Sequence, residues 1–248
     1  MRIAALYDIH GNLPALEVVL KEITSVGADR IVIGGDVVPG PMPRETLDAI
    51  RHIDIPVEFL RGNGEVAVLQ QLAGQTPAAV PEAFRPIIEW TAQQLAPGDQ
   101  PFLQSWPQTL RSNVQGVGEV LFCHATPRNE NEIFTRLTPD DRLHEVFNNS
   151  GAAVVICGHT HMQFDRTIGG VRVVNAGSVG MPFGAPAAYW LLIGPDIQLR
   201  HTDYDLAEAA ARIRGSGYPQ AEQFAATNIL KPPTEEQMLA VFTTAELK

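Results

Sequence analysis

Residues 1–12 read MRIAALYDIHGN, and this stretch decides the fold. Arg2 to Tyr7 is a short apolar run that reads as a buried strand, and it breaks at the polar turn Asp8-Ile9-His10-Gly11-Asn12. Beyond the turn, Leu13, Leu16, Val19, Leu20 and Ile23 recur at helical spacing, which predicts a helix from near Asn12 to a stop at Gly27. The same order repeats downstream. Arg30-Ile31-Val32-Ile33 is a second strand ending at Gly34-Gly35-Asp36, and Pro56 to Leu60 is a third ending at Arg61-Gly62-Asn63. Strands alternating with helices form βαβ units with parallel pairing. In such sheets the groups that do chemistry collect at the carboxyl ends of the strands.

Farther along, the pattern changes. Between about residues 74 and 107, Pro77, Pro81, Pro86, Pro97 and Pro101 bracket helical stretches such as Ile87 to Leu95, which read as a helical insertion covering part of the core. Strand-like runs return at Val120–Cys123, Ala153–Cys157, Val171–Val174 and Ala188–Ile193, and their close spacing suggests hairpins in a mixed or antiparallel second sheet. The tail over residues 205–248 is alanine-rich and helical, with a break at Lys231-Pro232-Pro233. With 248 residues, 45% of them apolar and 19% charged, the chain has material for one substantial core, and a single domain over residues 1–248 is expected. The 28 acidic against 18 basic residues leave a net charge of −10, which argues against a protein that follows extended nucleic acid through clustered Lys and Arg. No apolar run approaches the ~18 residues of a membrane span. Asp8 interrupts any signal-like segment, and Cys123 and Cys157 read as buried thiols, so a cytoplasmic protein is expected.

Each of five strand-ending turns contributes residue types that bind metals. Collected, Asp8, His10, Asp36, Asn63, His124, His159 and His161 make two Asp, one Asn and four His, which is seven N/O donors. Two divalent ions sharing a bridging carboxylate and a bridging water need about this many. Imidazole mixed with carboxylate suits Mn, Fe, Zn, Ni or Co better than Mg or Ca, whose shells are built of oxygen. Alternate side chains of a strand share a face, so Asp8 with His10, and His159 with His161, would aim the same way. Gly11, Gly35, Gly62 and Gly158 would let the backbone turn tightly beside an ion. A lone DxH or HxH is common in unrelated chains; what carries weight is that all seven residues end strands of one α/β pattern. His52, His144 and His201 lack such surroundings and read as surface or helix residues.

The ordered set DIHGN, GGD, GN, H and GHTH resembles the calcineurin-like metallophosphoesterase superfamily over nearly the whole chain. Asn175 to Gly180 resembles the NPGSVG loop of its small prokaryotic phosphodiesterase branch, related to the dinucleoside polyphosphate hydrolases, and Leu103 to Leu110, preceded by Trp90-Thr91, resembles that branch's helical insertion. The resemblance implies an α/β fold in which two mixed β-sheets pack as a sandwich flanked by helices. It implies a first metal held by Asp8, His10, Asp36 and His161, and a second held by Asp36, Asn63, His124 and His159, so that Asp36 bridges. Asp36, Asn63 and His124 would form the catalytic centre, with two divalent transition-metal ions, manganese supporting activity. A water between the metals, its pKa lowered from about 15.7 toward ~7, would attack phosphorus in line.

Two departures from the family pattern matter. The family usually has GNHD or GNHE, where the histidine protonates the leaving group or stabilises the transition state; here Gly64 and then Glu65 follow Asn63. A missing acid costs ~10²–10⁴-fold, so turnover of poor leaving groups should be weak unless another group substitutes, and Gly64→His should raise it if the missing acid limits the rate. Nor does Asp36-Val37-Val38-Pro39-Gly40 contain the Asp-Arg-Gly of Ser/Thr protein phosphatases and symmetrical dinucleoside tetraphosphatases. The expected activity is a phosphodiesterase acting on a small phosphoester or nucleotide. Alternatives are a phosphomonoesterase or nucleotidase, or a catalytically weak metal-binding interaction module, since a retromer subunit keeps this fold with a degraded metal site. Asn12, Arg128 and Asn129 are candidates to contact substrate, and the insertion and the loop around Asn175 are expected to set specificity.

Overall fold

The protein is described by a computed structural model over residues 1–247, in which two five-stranded sheets face each other. In the first sheet β1 (Ile3–Leu6), β2 (Arg30–Ile33) and β3 (Val57–Phe59) run parallel, with Ile3 opposite Arg30 and Ile31 opposite Val57. The second sheet runs β4 (Thr109–Val114), β5 (Gly118–Cys123), β6 (Val154–Cys157), β8 (Val171–Asn175) and β7 (Phe164–Ile168) in that spatial order, with only β5–β6 and β6–β8 parallel. β9 (Ala188–Ile193), expected among the later strands, crosses instead to the first sheet, where it lies antiparallel to β1 and carries β10 (Ile197–Thr202) as the edge. Sequence reading missed β4, β7 and β10. All three are edge strands in which charged and polar residues such as Arg111, Asp165 and Gln198 interrupt the apolar ones, so no apolar run marks them.

Strand alternation sorts the core into layers. Ile3, Ala5 and Tyr7 point between the sheets and meet Phe122, Ile156, Val174, Leu191 and Ile193. Tyr7 also ties the sheets with a hydroxyl donated to the Ile156 carbonyl at 3.2 Å. Ala4 and Leu6 point the other way, onto Leu16, Val19 and Ile23 of α1 (Leu13–Val26). That helix begins where Asn12 Oδ1 accepts the Ala15 N–H at 3.2 Å and stops at Gly27, whose φ of 66° is the left-handed end that favours glycine. α2 (Pro43–Arg51) and α3 (Asn63–Leu72) follow β2 and β3. The outer face of the second sheet is covered by Leu143, Val146 and Phe147 of α6 (Asp140–Phe147), packed on Leu121, Cys123 and Val155. Each aliphatic side chain buried this way contributes roughly 1.5–3 kcal/mol.

The segment over residues 74–107 holds α4 (Arg85–Gln94) and α5 (Asp99–Gln104), and Ile88, Leu103 and Trp106 sink into the core beside α1 and α3. The stretch Leu103 to Leu110 is therefore split between the end of α5 and the start of β4. The tail consists of α7 (Leu206–Arg214), α8 (Ala221–Phe224), a π-helical turn over Ala225–Leu230 and α9 (Glu235–Thr243). Its Ala209, Ile213, Phe224 and Ile229 pack with Met42 and Ile87, and Arg212 holds Glu17 of α1 through two bonds of 2.7 and 2.9 Å. No helix among the described residues is long and apolar enough to cross a membrane.

Candidate metal centre

The turns after β1, β2, β3, β5 and β6 meet at one edge of the sandwich, because these five strands present their carboxyl ends to the same side. Six of the seven donors lie in those turns and Asn63 opens α3; none lies in a strand, which corrects the expectation that strand alternation aims them. Left-handed backbone does it instead. Asp8, His10, Asp36, His159 and His161 have φ of 55°, 47°, 52°, 67° and 57°, and only Leu247 joins them among the described non-glycine residues with positive φ. Such a conformation costs a side chain of this kind of order 1–3 kcal/mol and persists where the surroundings over-determine it.

The surroundings here are hydrogen bonds that leave one face of each donor free. Asp8 Oδ2 accepts the His159 N–H at 2.8 Å, while Oδ1 stands 3.2 Å from His161 Nε2 and 3.8 Å from both His10 Nε2 and His124 Nε2. Asp36 divides its oxygens: Oδ1 accepts the Gly64 N–H at 2.7 Å and lies 3.5 Å from His124 Nε2, and Oδ2 lies 3.8 Å from His10 Nε2. Asn63 Oδ1 is 3.1 Å from His124 Nε2, and the His159 ring centroid is 5.1 Å from that of His124. Three histidines point the other nitrogen at a carbonyl, which can only accept, so Nδ1 carries the proton and Nε2 faces inward with its lone pair. The pairs are His10 with Pro39 at 3.3 Å, His124 with Gly34 at 2.9 Å and His161 with Met181 at 2.7 Å. His10 Nε2 and His161 Nε2 approach to 3.3 Å.

Glu65 is a residue whose part sequence reading missed. Fully buried, it accepts N–H bonds from Asp36, Val37, Val38 and Gly62 at 2.7 to 3.1 Å, and so ties the β2 turn to the β3 turn and fixes Asp36. Its spacing from Gly62, a carboxylate three residues after a helix N-cap, is the signal that could have found it. The two glycines here exist for contact. A Cβ on Gly62 would stand 2.2 Å from Asp36 Oδ1, and one on Gly64 would stand 2.2 Å from the Val38 carbonyl oxygen and 2.9 Å from Asp36 Oδ1. The expectation that Gly64→His restores a missing acid is therefore overturned, since position 64 has no room for a side chain.

Charge follows the geometry. Burial pushes the Asp8 carboxyl up, but the charges of His161, His124 and His10 outweigh it and hold it well below the ordinary carboxylate range. Burial brings His10 down against the Asp36 charge, and burial with the neighbouring His124 brings His159 down to about 4. His124 is raised, because Asp36 and Asp8 overcome its burial. Burial and the Asp36 charge push Glu65 up to about 7 against the N–H bonds from Gly62, Val38 and Asp36. Asp8 ionised with His10 and His159 neutral is the form in which such groups bind a cation.

Two buried atoms test the fit to metal. Asp8 Oδ1 and His159 Nε2 are out of contact with solvent and have no hydrogen-bond partner. Orphans of this kind are costly in a folded chain unless an ion takes them. Ligand atoms of Asp8, His10 and His161 all lie within 4.8 Å of one another, as do those of Asp8, Asp36 and His124. The donor set is the imidazole and carboxylate mixture of a divalent transition metal; Asp8 is common to both groups, and Asp36 turns one oxygen toward His124 and the other toward His10.

The three residues expected to contact substrate have other partners. Asn12, fully buried, caps α1 and donates to the Gly180 carbonyl at 3.0 Å and to the Tyr204 hydroxyl at 3.3 Å. Arg128 is paired twice with Glu132, at 3.1 and 2.6 Å, and Asn129 Oδ1 accepts the N–H groups of Asn131 and Glu132. The Asn175 loop clamps the centre: Asn175 donates to the Gly158 carbonyl at 2.6 Å and Ser178 to the Asp8 carbonyl at 2.7 Å. Cys123 and Cys157 are buried free thiols, both raised by burial. His52, His144 and His201 are exposed.

Comparison with known proteins agrees with this geometry. The calcineurin-like phosphoesterase superfamily domain matches residues 1–193. A protein of Methanocaldococcus jannaschii, MJ0912, is 30% identical over 239 residues, covering 88% of this chain and 94% of that one. A metallophosphoesterase from Sphaerobacter thermophilus superposes with a TM-score of 0.72 at 25% identity, over 92% of this chain and 99% of that one. The protein PH1004 from Pyrococcus horikoshii shares the fold with a TM-score of 0.76 at 21% identity, over 94% and 99% of the two chains. With the family's domain matched over most of its length, this chain belongs to the calcineurin-like phosphoesterase superfamily.

Proposed function

We infer that the protein is a cytoplasmic phosphodiesterase that hydrolyses a small phosphoester and binds two divalent transition-metal ions, manganese among them. The observation that carries the reading is the convergence of seven donors, two of whose atoms, Asp8 Oδ1 and His159 Nε2, are buried without partners. Asp8, His10, Asp36 and His161 would hold one ion, and Asp36, Asn63, His124 and His159 the other. When bound, the ions would supply a lowered water pKa and positive charge opposite the phosphoryl oxygens.

The chain's own part is positioning. The carbonyls of Pro39, Gly34 and Met181 fix three imidazoles in the tautomer that faces inward, and Glu65 and the Gly64 N–H fix Asp36. In the reaction, water gives its oxygen to phosphorus and a proton to solvent, and the ester P–O bond breaks with its electron pair leaving on the alcohol oxygen. Position 64 offers no acid to meet that oxygen, which favours alcohols that are stable as anions. After stripping with a chelator, hydrolysis of bis-p-nitrophenyl phosphate should vanish and then return in proportion to added Mn up to about two ions per chain. Full activity in the stripped protein, or none in the reloaded one, would count against the reading.

A further inference from the structure

A cavity of about 380 Å³ opens beside His10 and Pro39. Three separate parts of the chain wall it: Phe84 and Ile87 of the insertion, Met181 and Phe183 of the loop after β8, and Phe224 and Met238 of the tail. No Lys, Arg, Asp or Glu lines it; its polar side chains are His10, Tyr218, Thr227 and the amides Gln220, Gln223 and Asn228. None of those three amides has a partner for its side chain among the described residues. The volume lies at the lower end of the ~300–1,000 Å³ range of small-molecule pockets, and the lining, apolar with a few convergent polar groups, is of that type.

The cavity and the candidate metal centre share a wall. Pro39, which lines the cavity, gives its carbonyl to His10, and Met181 gives its carbonyl to His161. The Phe183 ring stacks on His161 with centroids 5.0 Å apart and planes 19° from parallel. A phosphorus atom placed among the histidines therefore has a substituent within reach of this space. A charged substituent there would lose its water with no counter-charge in return. An uncharged ring would be covered by aromatic and thioether walls, with amides available to its polar edge.

Eight of the fifteen lining residues lie beyond residue 193, outside the span matched by the family domain. Thr227 and Asn228 sit on the π-helical turn, a rare arrangement that is frequent at functional sites. We propose that this cavity receives the organic group of the substrate, and that the group is an uncharged, flat, largely apolar aryl or heteroaryl alcohol esterified to phosphate. The proposal rests on the phosphoesterase reading for the phosphoryl half alone.

Calorimetric titration of the full-length, Mn-loaded protein with phenylphosphonate, methylphosphonate and 4-carboxyphenylphosphonate tests it. Phenylphosphonate should bind at least about tenfold tighter than methylphosphonate, the discrimination an apolar pocket provides, and the carboxyl group should remove most of that advantage. Met238→Trp, which fills the cavity, and Phe84→Ala, at a residue 51% exposed and so not required for folding, should each bring the ratio toward one. Equal affinities in the wild type, or a preference that survives both substitutions, overturn the proposal. Hydrolysis of bis-p-nitrophenyl phosphate by the same samples separates the two readings. Turnover without a phenyl preference sinks the pocket and leaves the phosphoesterase, and a phenyl preference without turnover does the reverse.

Discussion

A Cβ on Gly64 cannot be added without moving the β2 turn, because the nearest atom, the Val38 carbonyl oxygen at 2.2 Å, is backbone and Asp36 Oδ1 is next to it. Gly64→His is therefore expected to lower the melting temperature, by an overpacking cost of roughly 1–3 kcal/mol, and to weaken Mn binding without raising turnover. Thermal melts with an Mn titration check this; faster hydrolysis with an unchanged melt would contradict it. At this scale the seven donors were legible, since Asp, Asn and His at strand ends are a chemical signature that spacing exposes. Their left-handed conformations were not, because an aspartate or histidine carries no mark of positive φ in the sequence, and contacts from distant loops such as Ser178 to Asp8 impose it. Arg128 looked free for the converse reason: its partner Glu132 is visible only once the loop is folded.

Elements that alternate strand and helix with apolar runs, β1 through β3 with α1, could be read directly, and α1 falls within a residue of its expected limits. The edge strands β4, β7 and β10 could not, since their exposed faces dilute the apolar signal, and the pairing of β9 with β1 joins residues as far apart in the chain as Ile3 and Ile193. α5 shows how the insertion is held. Arg51 of α2 reaches Asp99 at 2.6 Å and lies over Phe102 at 4.3 Å, and Trp106, 2% exposed, stacks on Phe59 with centroids 5.0 Å apart. Trp106→Ala should cost about 3–5 kcal/mol. Denaturant titration measures this, and a loss below about 1 kcal/mol would show that α5 is not anchored through this ring. The tail reads from its sequence only as helical, yet it supplies more than half of the cavity lining, because which helix walls a pocket depends on how it folds back over the sheet.

Across the whole molecule, a chain of net charge −10 gathers two buried aspartates and four histidines at one edge of a sandwich. Acidic composition and anionic substrate are compatible if two divalent ions bind there, since +4 then faces the two carboxylates Asp8 and Asp36. The global charge still disfavours an extended nucleic-acid track. Everything in this account turns on Asp36, whose two oxygens face different histidine groups. The direct measurement is metal content by plasma emission spectrometry on wild type and Asp36→Asn after identical loading with Mn, with hydrolysis of bis-p-nitrophenyl phosphate assayed on the same samples. The account predicts about two ions per chain and turnover in the wild type, and in the variant fewer than about one ion with turnover lower by at least ~10³-fold. Equal metal content and equal turnover in the two proteins would contradict it.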